Sequence, residues 1–427
     1  MIKSEALIAK ILSSSTPRFV ELYGNDSVEI QYQSLRYIEL LKNFKAAFGT
    51  SEVELFSTPG RTEIGGNHTD HNNGRVLAAA VNLDNIAVAA KNDSNIIRIE
   101  SKGYPKIEIN LSILKPIDKE SFTSAAIVRG ICSRIKEMGY STGGFDAVIN
   151  GGVPKGSGLS SSASFEVLIG AIINHLFNGG SIDPVSIAQI GQYAENVFFG
   201  KPCGLMDQTA CSVGGMVAID FENPGEPVIS RVKFDFAATG FSLVITDTGG
   251  HHADLNDEYA AIPNEMKSVA RELGKEVLRQ VKQEEVVRAI PSMREEVGDR
   301  ALLRALHFHG DNQRVLKEVE ALEQDDFRTF LSLVIESGQS SFMYNQNIYP
   351  LTNIKEQGVS LGLAISELIL KGNGAWRVHG GGFAGTIQAF VPQDLLNEYV
   401  NAMENVFGKD SCYKLFIRPV GSIKVEI

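Results

Sequence analysis

Cysteine is scarce in this chain of 427 residues, which has only four, Cys132, Cys203, Cys211 and Cys412. None shows the paired spacing of a zinc ligand set or a disulfide framework, so reduced thiols and a cytoplasmic setting are expected. Positive charge is in deficit, with 40 Lys and Arg against 51 Asp and Glu and a formal net charge of −11. That balance argues against nucleic acid and anionic membrane surfaces as partners. A long uninterrupted apolar run is missing too. The best candidate, VLAAAVNLDNIAVAA, is broken by Asn82 and Asp84, which excludes a membrane span. The start, MIKSEALIAKILSSSTPRF, is short and amphipathic, without the apolar stretch of a secretory leader. No repeat or low-complexity tract appears.

What the chain does have is polar groups crowded into glycine-rich turns. Residues 57–77, STPGRTEIGGNHTDHNNGRVL, bring together Arg61, Asn67, His68, Asp70 and His71. A buried polar group left unpaired costs about 1 to 3 kcal/mol, so such a cluster is either a solvated surface loop or a site for a hydroxyl-rich ligand. Residues 150–176, NGGVPKGSGLSSSASFEVLIGAIINHL, run a Gly/Ser loop into apolar residues at helical spacing: Phe165, Leu168, Ile169, Ile172 and Leu176. A helix starting near Ser160 to Ser162 leaves four N–H groups without intrahelical partners and carries about half a positive charge at that end. Phosphate suits such an end, and Gly156 and Gly158 allow close backbone approach, although an ordinary serine-capped helix reads the same way.

Two familiar phosphate motifs fail. Ser157 and Gly158 stand where a Walker loop needs Lys followed by Ser or Thr. Gly380, Gly382 and Gly385 in VHGGGFAGTIQAFV match the dinucleotide fingerprint literally, but TIQAFV alternates like a strand where the fingerprint needs a helix. A tight glycine turn that brings backbone against another segment or a ligand is the better expectation.

In their order and separation, GRTEIGGNHTDHNNG, VPKGSGLSSSAS and VHGGGFAGT resemble the motifs of the GHMP family of small-molecule kinases, and within it the galactokinases. AENVFFGKPCGLMDQTACSVGG, residues 194–215, is similar to the segment that carries that family's catalytic aspartate. The resemblance begins near residue 20 and implies an ATP-dependent sugar 1-kinase using Mg2+, with small-molecule partners only and a monomeric or small homo-oligomeric state. It implies Asp207 as the base and Arg61 as its cationic neighbour. It also implies nucleotide contacts at Ser101, Gly156, Ser157, Gly158, Leu159, Ser160, Ser161 and Ser162, with Ser162 and Glu195 holding the metal. Sugar contacts are implied at Asn67, His68, Thr69, Asp70 and, by a weaker match, Tyr259.

One departure bears on the substrate. The galactokinase signature usually reads Glu-His-Thr-Asp-Tyr, where this chain has Asn67, His68, Thr69, Asp70 and His71. An amide in place of the carboxylate that holds the exocyclic hydroxyl leaves galactose possible and opens galacturonate, arabinose and N-acetylgalactosamine. A non-catalytic sugar sensor is the remaining alternative, opposed by the retained Ser160 to Ala163, Glu195 and Asp207.

The expected fold is α+β in two domains, 1–220 and 221–427, divided at FENPGEP (residues 221–227) where Pro and Gly interrupt both periodicities. The resemblance implies a ribosomal-protein-S5-like first domain and a ferredoxin-like second. Strands are expected at VLAAAVNL, NIAVAAK, IIRIES, FSLVITDT and YKLFIRPV, and a helix at AAIVRGICSRIKEMG. The pairs His251/His252 with Asp254, and His307 with His309, lack zinc spacing. His252 and Asp254 are instead candidates to line a sugar pocket, because they precede Tyr259.

Overall fold

The computed structural model describes residues 2–13, 17–49, 52–154, 156–250, 255–351, 353–383 and 385–427. His251, His252 and Asp254 therefore lie outside the described residues.

The first sheet contains β1 (Ile2–Lys3), β2 (Glu52–Gly65), β3 (Arg75–Lys91), β4 (Ile96–Ser101), β5 (Ile107–Asn110), β6 (Phe145–Gly151), β7 (Met216–Asp220) and β8 (Val228–Val232). The second contains β9 (Phe241–Asp247), β10 (Ala375–His379), β11 (Thr386–Pro392) and β12 (Cys412–Leu415), after which β13 (Ile423–Val425) returns to the first. In chain order the second sheet's strands lie second, third, first, fourth and pair antiparallel, which is the ferredoxin-like arrangement.

The two apolar stretches expected as separate strands are one, β3, and it organises the first sheet. It pairs with β2 along most of its length, with β7 through Arg75–Ala79 and with β6 through Asn85–Lys91. Its side chains alternate between two cores. Ile86, Val88 and Ala90 meet the helices α1 (Ser4–Ser13), α2 (Pro17–Tyr23) and α3 (Ser27–Phe48). Ala87 and Ala89 meet α4 (Ser124–Glu137) and α5 (Ser161–Asn178). Burial on both faces explains why the strand reads as a continuous apolar run. The first 20 residues, for which the sequence offered no account, supply Leu7, Ile11 and Phe19 to the α3 core.

Asp84, one of the residues that interrupts this run, is fully buried. Arg36 reaches it at 2.6 Å, the Tyr23 hydroxyl at 2.8 Å and Arg418 at 3.4 Å, and the Ser57 hydroxyl also donates to it. Segment 221–227, expected as a domain boundary, is instead the turn between β7 and β8, both strands of the first sheet. Proline and glycine interrupt periodicity in a hairpin turn as well as in a linker, and the second sheet begins at β9.

The helices α6 (Pro184–Tyr193) and α7 (Met206–Val213) complete the α5 side. Next, α8 (Asn256–Glu272) and α9 (Gln283–Val297) pack on the N-terminal part of α10 (Asp299–Glu323). The C-terminal part of α10 lies beside the second sheet, with α11 (Phe327–Ser340), α12 (Gly358–Leu370) and α13 (Leu396–Phe407). No helix of the described residues is long and apolar enough to cross a membrane.

Removing one member of a buried ion cluster leaves the others uncompensated, at about 3 to 5 kcal/mol. Asp84→Asn is expected to lose stability of that order in urea unfolding, by stranding Arg36 and Arg418; a loss below about 1 kcal/mol contradicts this account.

Candidate active site

The site assembles where α5, α7 and β2 meet. Ser160, just before α5, has left-handed backbone with φ 55°, and its hydroxyl does not cap the helix. It donates to Asp207 Oδ2 at 2.5 Å. Asp207 opens α7, and its side chain is about a third exposed. Its Oδ1 accepts from both Nε and Nη2 of Arg61 at 2.7 Å. Arg61 also donates from Nη1 to the Gly158 carbonyl, and its backbone N–H reaches the Leu159 carbonyl at 3.1 Å. One guanidinium thus fixes both the loop and the carboxylate.

Beside this junction lies a cavity of about 640 Å³. Ser161, Ser162, Glu166 and Glu195 line its polar part, while Tyr104, Ile107, Phe122 and Phe165 give it apolar walls, and Ser101 lines it too. Glu195 sits in a π-helical turn, Ala194–Phe199, that continues α6. The Gln208 amide donates to Glu166 Oε2 at 2.9 Å and to Glu195 Oε2 at 3.2 Å. Burial, reinforced by Glu195, raises the Glu166 carboxyl above the ordinary carboxylate range. Ser157 and Leu159 face inward: Ser157 donates to the Pro154 carbonyl at 2.8 Å, and Leu159 joins the core under β2. Their backbone is what the loop can offer a ligand.

The 57–77 segment folds into a turn closed by Thr69, whose hydroxyl is committed to the carbonyls of Gly66 and Arg75. Asn67 is also buried. Its Nδ2 donates to Glu63 Oε1 at 3.0 Å and to the Gly380 carbonyl at 2.8 Å, and its Oδ1 accepts from Asn347 at 2.9 Å and Ser341 at 3.2 Å. The sequence expectation that Asn67 removes a negative charge from this corner needs correcting, because the Glu63 carboxylate lies against it. Arg377 pairs with Glu63 at 2.9 Å, yet burial still pushes Glu63 up to about 7.

His68 and Asp70 are further polar side chains of this turn. Burial, with His71 nearby, pushes His68 down to about 3, so its ring is neutral. Its Nε2 lies 3.1 Å from the Gly381 carbonyl, which can only accept, and Nδ1 is left as an acceptor. Asp70 lies beside Gly204, three residues before Asp207, where an added Cβ would come 3.2 Å from Oδ2. Tyr259 donates to the Gly382 carbonyl at 3.1 Å.

The third glycine segment is the clasp over this corner. It joins β10 to β11 as a hairpin, as the alternation of TIQAFV implied. The carbonyls of Gly380, Gly381 and Gly382 are held by Asn67, His68 and Tyr259. A Cβ on Gly381 would come 2.6 Å from the Tyr259 ring, and one on Gly158 would come 3.0 Å from His379. First signature, phosphate loop and glycine turn are therefore mutually packed.

Comparison with known proteins gives the same grouping. Residues 126–215 match the model of the GHMP kinases N terminal domain, and residues 42–91 match the galactokinase galactose-binding signature. A galactokinase of Clostridium tetani is 30% identical over 382 residues, spanning 88% of this chain and 93% of that protein. The chain belongs to the galactokinase family. Among solved structures, Lactococcus lactis galactokinase complexed with galactose superposes with TM-score 0.77 at 24% identity, over 92% of this chain and 100% of that one. Methanococcus jannaschii mevalonate kinase gives TM-score 0.59 at 13% identity, covering 86% and 98%. These two likenesses establish the two-part α+β GHMP fold.

Glu63, Glu166 and Gln208 were not singled out from the sequence. Glu63 stands four before Asn67, Glu166 stands four after Ser162, and Gln208 follows Asp207, so only their neighbourhood could have pointed to them. His307 buttresses the site from beneath, with Nε2 at 2.9 Å from the Asn67 carbonyl and Nδ1 at 2.9 Å from Ser340. It is a packing residue, and no group of three or more metal-binding side chains occurs among the described residues.

Glu63 gives a pH signature. Its folded value lies above the ordinary 4.5, so between about 4.5 and 7 the folded state holds the extra proton and stability falls as pH rises. Relative to the parent protein, Glu63→Gln is expected to gain about 1 to 3 kcal/mol across that window in urea unfolding; a flat difference contradicts it.

Proposed function

We propose that this protein transfers the γ-phosphoryl group of ATP to the anomeric hydroxyl of galactose, giving galactose 1-phosphate, with Mg2+. The observation that carries the reading is the shared carboxylate of Asp207, bonded on one oxygen to Arg61 of the sugar signature and on the other to Ser160 of the phosphate loop. Phosphoryl transfer asks mainly for alignment and charge stabilisation, with one group to receive or orient the hydroxyl proton. Asp207 is placed for that last task, since it is partly exposed at the junction of the two half-sites.

Arg61 keeps the carboxylate fixed and offers positive charge beside the transferred group. The α5 N-terminus, with backbone from Gly156 to Ser161, takes the phosphates, and the apolar walls at Tyr104, Phe122 and Phe165 take the base. Ser162 and Glu195 present hydroxyl and carboxylate oxygens in the same cavity, the hard donors that Mg2+ accepts alongside waters and phosphate oxygens. Bound there, the ion neutralises charge developing on the phosphates.

His68 Nδ1 and Asp70 accept from sugar hydroxyls. Glu63, behind Asn67, keeps a carboxylate at the corner where a uronic acid would place its own, which favours galactose over galacturonate. The unpaired state of all four cysteines fits a reducing, cytoplasmic setting.

ADP release with ATP and a panel of galactose, galacturonate, arabinose and N-acetylgalactosamine tests this directly. Galactose is expected to give the highest kcat/KM; tight sugar binding with no ADP release contradicts the kinase reading. Asp207→Asn is expected to lower kcat by about 10²- to 10⁴-fold with the sugar KM little changed, since it removes the proton acceptor and keeps the shape.

A further inference from the structure

We propose that Glu166 is a second carboxylate of the divalent-cation site, acting through a water of the ion's hydration shell. This rests on the kinase reading, and it goes beyond the pair Ser162 and Glu195. Ser162 and Glu166 are four apart on α5 and so share one face, stacked about 6 Å along the axis. Both line the same cavity as Glu195.

Glu166 is 2% exposed, and only one of its oxygens is used. Oε2 accepts from Gln208, whereas Oε1 is buried without a partner. A buried carboxylate oxygen left without a partner is costly, and here it belongs to a residue of the cavity wall. The same Gln208 nitrogen reaches Glu195 Oε2, so one amide holds the two carboxylates in a fixed relation. No ion pair among the described residues neutralises either one.

Mg2+ binds its ligands at about 2.1 Å, keeps several waters and takes few carboxylates directly. Ser162, Glu195 and phosphate oxygens account for the direct positions. A carboxylate one helical turn deeper than Ser162 is at the distance that a bound water spans, and Oε1 is the acceptor such a water needs. Outer carboxylates of this kind typically hold 10- to 100-fold in metal affinity. Glu166 is thus a positioning residue for the ion, and Gln208 sets the angle between it and Glu195.

The test is Mn2+ binding to the full-length protein with ADP, followed by electron paramagnetic resonance. Glu166→Gln keeps the shape and the Gln208 contact. It is expected to weaken Mn2+ binding about 10- to 100-fold, with a melting temperature no lower than the parent's. Unchanged Mn2+ affinity in Glu166→Gln overturns the proposal. Glu195→Gln separates the two readings: if it loses Mn2+ while Glu166→Gln does not, only the role of Glu166 falls, and if neither loses Mn2+, the placement of the metal falls as well. Should Glu166→Gln unfold, Glu166→Asp, which withdraws the carboxylate by one methylene, is expected to show the same loss, and parent-like affinity there overturns the proposal equally.

Discussion

The geometry depends on one carboxylate held from two sides. Asp207 accepts from Arg61 and from Ser160, and these donors come from segments about 100 residues apart in sequence. A guanidinium on one oxygen and a hydroxyl on the other fix the carboxylate plane, so orientation need not be found anew in each turnover. The left-handed backbone of Ser160 belongs to the same arrangement. By leaving the N-cap role it turns its hydroxyl to Asp207, and the helix end stays open for an anion.

Around this junction the protein places charge in buried, mutually bonded groups. Asn67 illustrates the logic: every polar atom of its side chain has a partner, and its neighbours Glu63, Asn347 and Gly380 come from three parts of the chain. The residue that differs from the usual signature is therefore a connector between the halves. The position of the His68 ring in that turn is set by the Gly381 carbonyl.

The motifs, the helix at Ser161 and the hairpin after His379 were legible in the sequence, because each has a local cause: unpaired helix donors, alternation, or glycine at a close approach. The ferredoxin-like second sheet was implied by the family resemblance alone. The merging of two apolar stretches into β3 was not, since Asp84 looks like an interruption until Arg36 and Arg418 arrive from distant segments. Nor was the fate of residues 221–227, because a turn and a linker share a composition. The burial of Asn67 and Thr69 was equally hidden. Polar letters crowded in a turn do not say which are spent on the turn itself, and only the partners at Gly66, Arg75 and Asn347 decide it.

The return of β13 to β2 has a consequence for how the chain comes to be folded. Ser57 pairs with Ile423, so a strand made earlier on the ribosome must keep that edge open until more than 350 further residues have been added. During that wait Asp84 lacks Arg418, and the edge of β2 is exposed to other chains, the situation in which large proteins aggregate. Synthesis rate and chaperone occupancy thus bear on the yield of active protein through a strand of three residues.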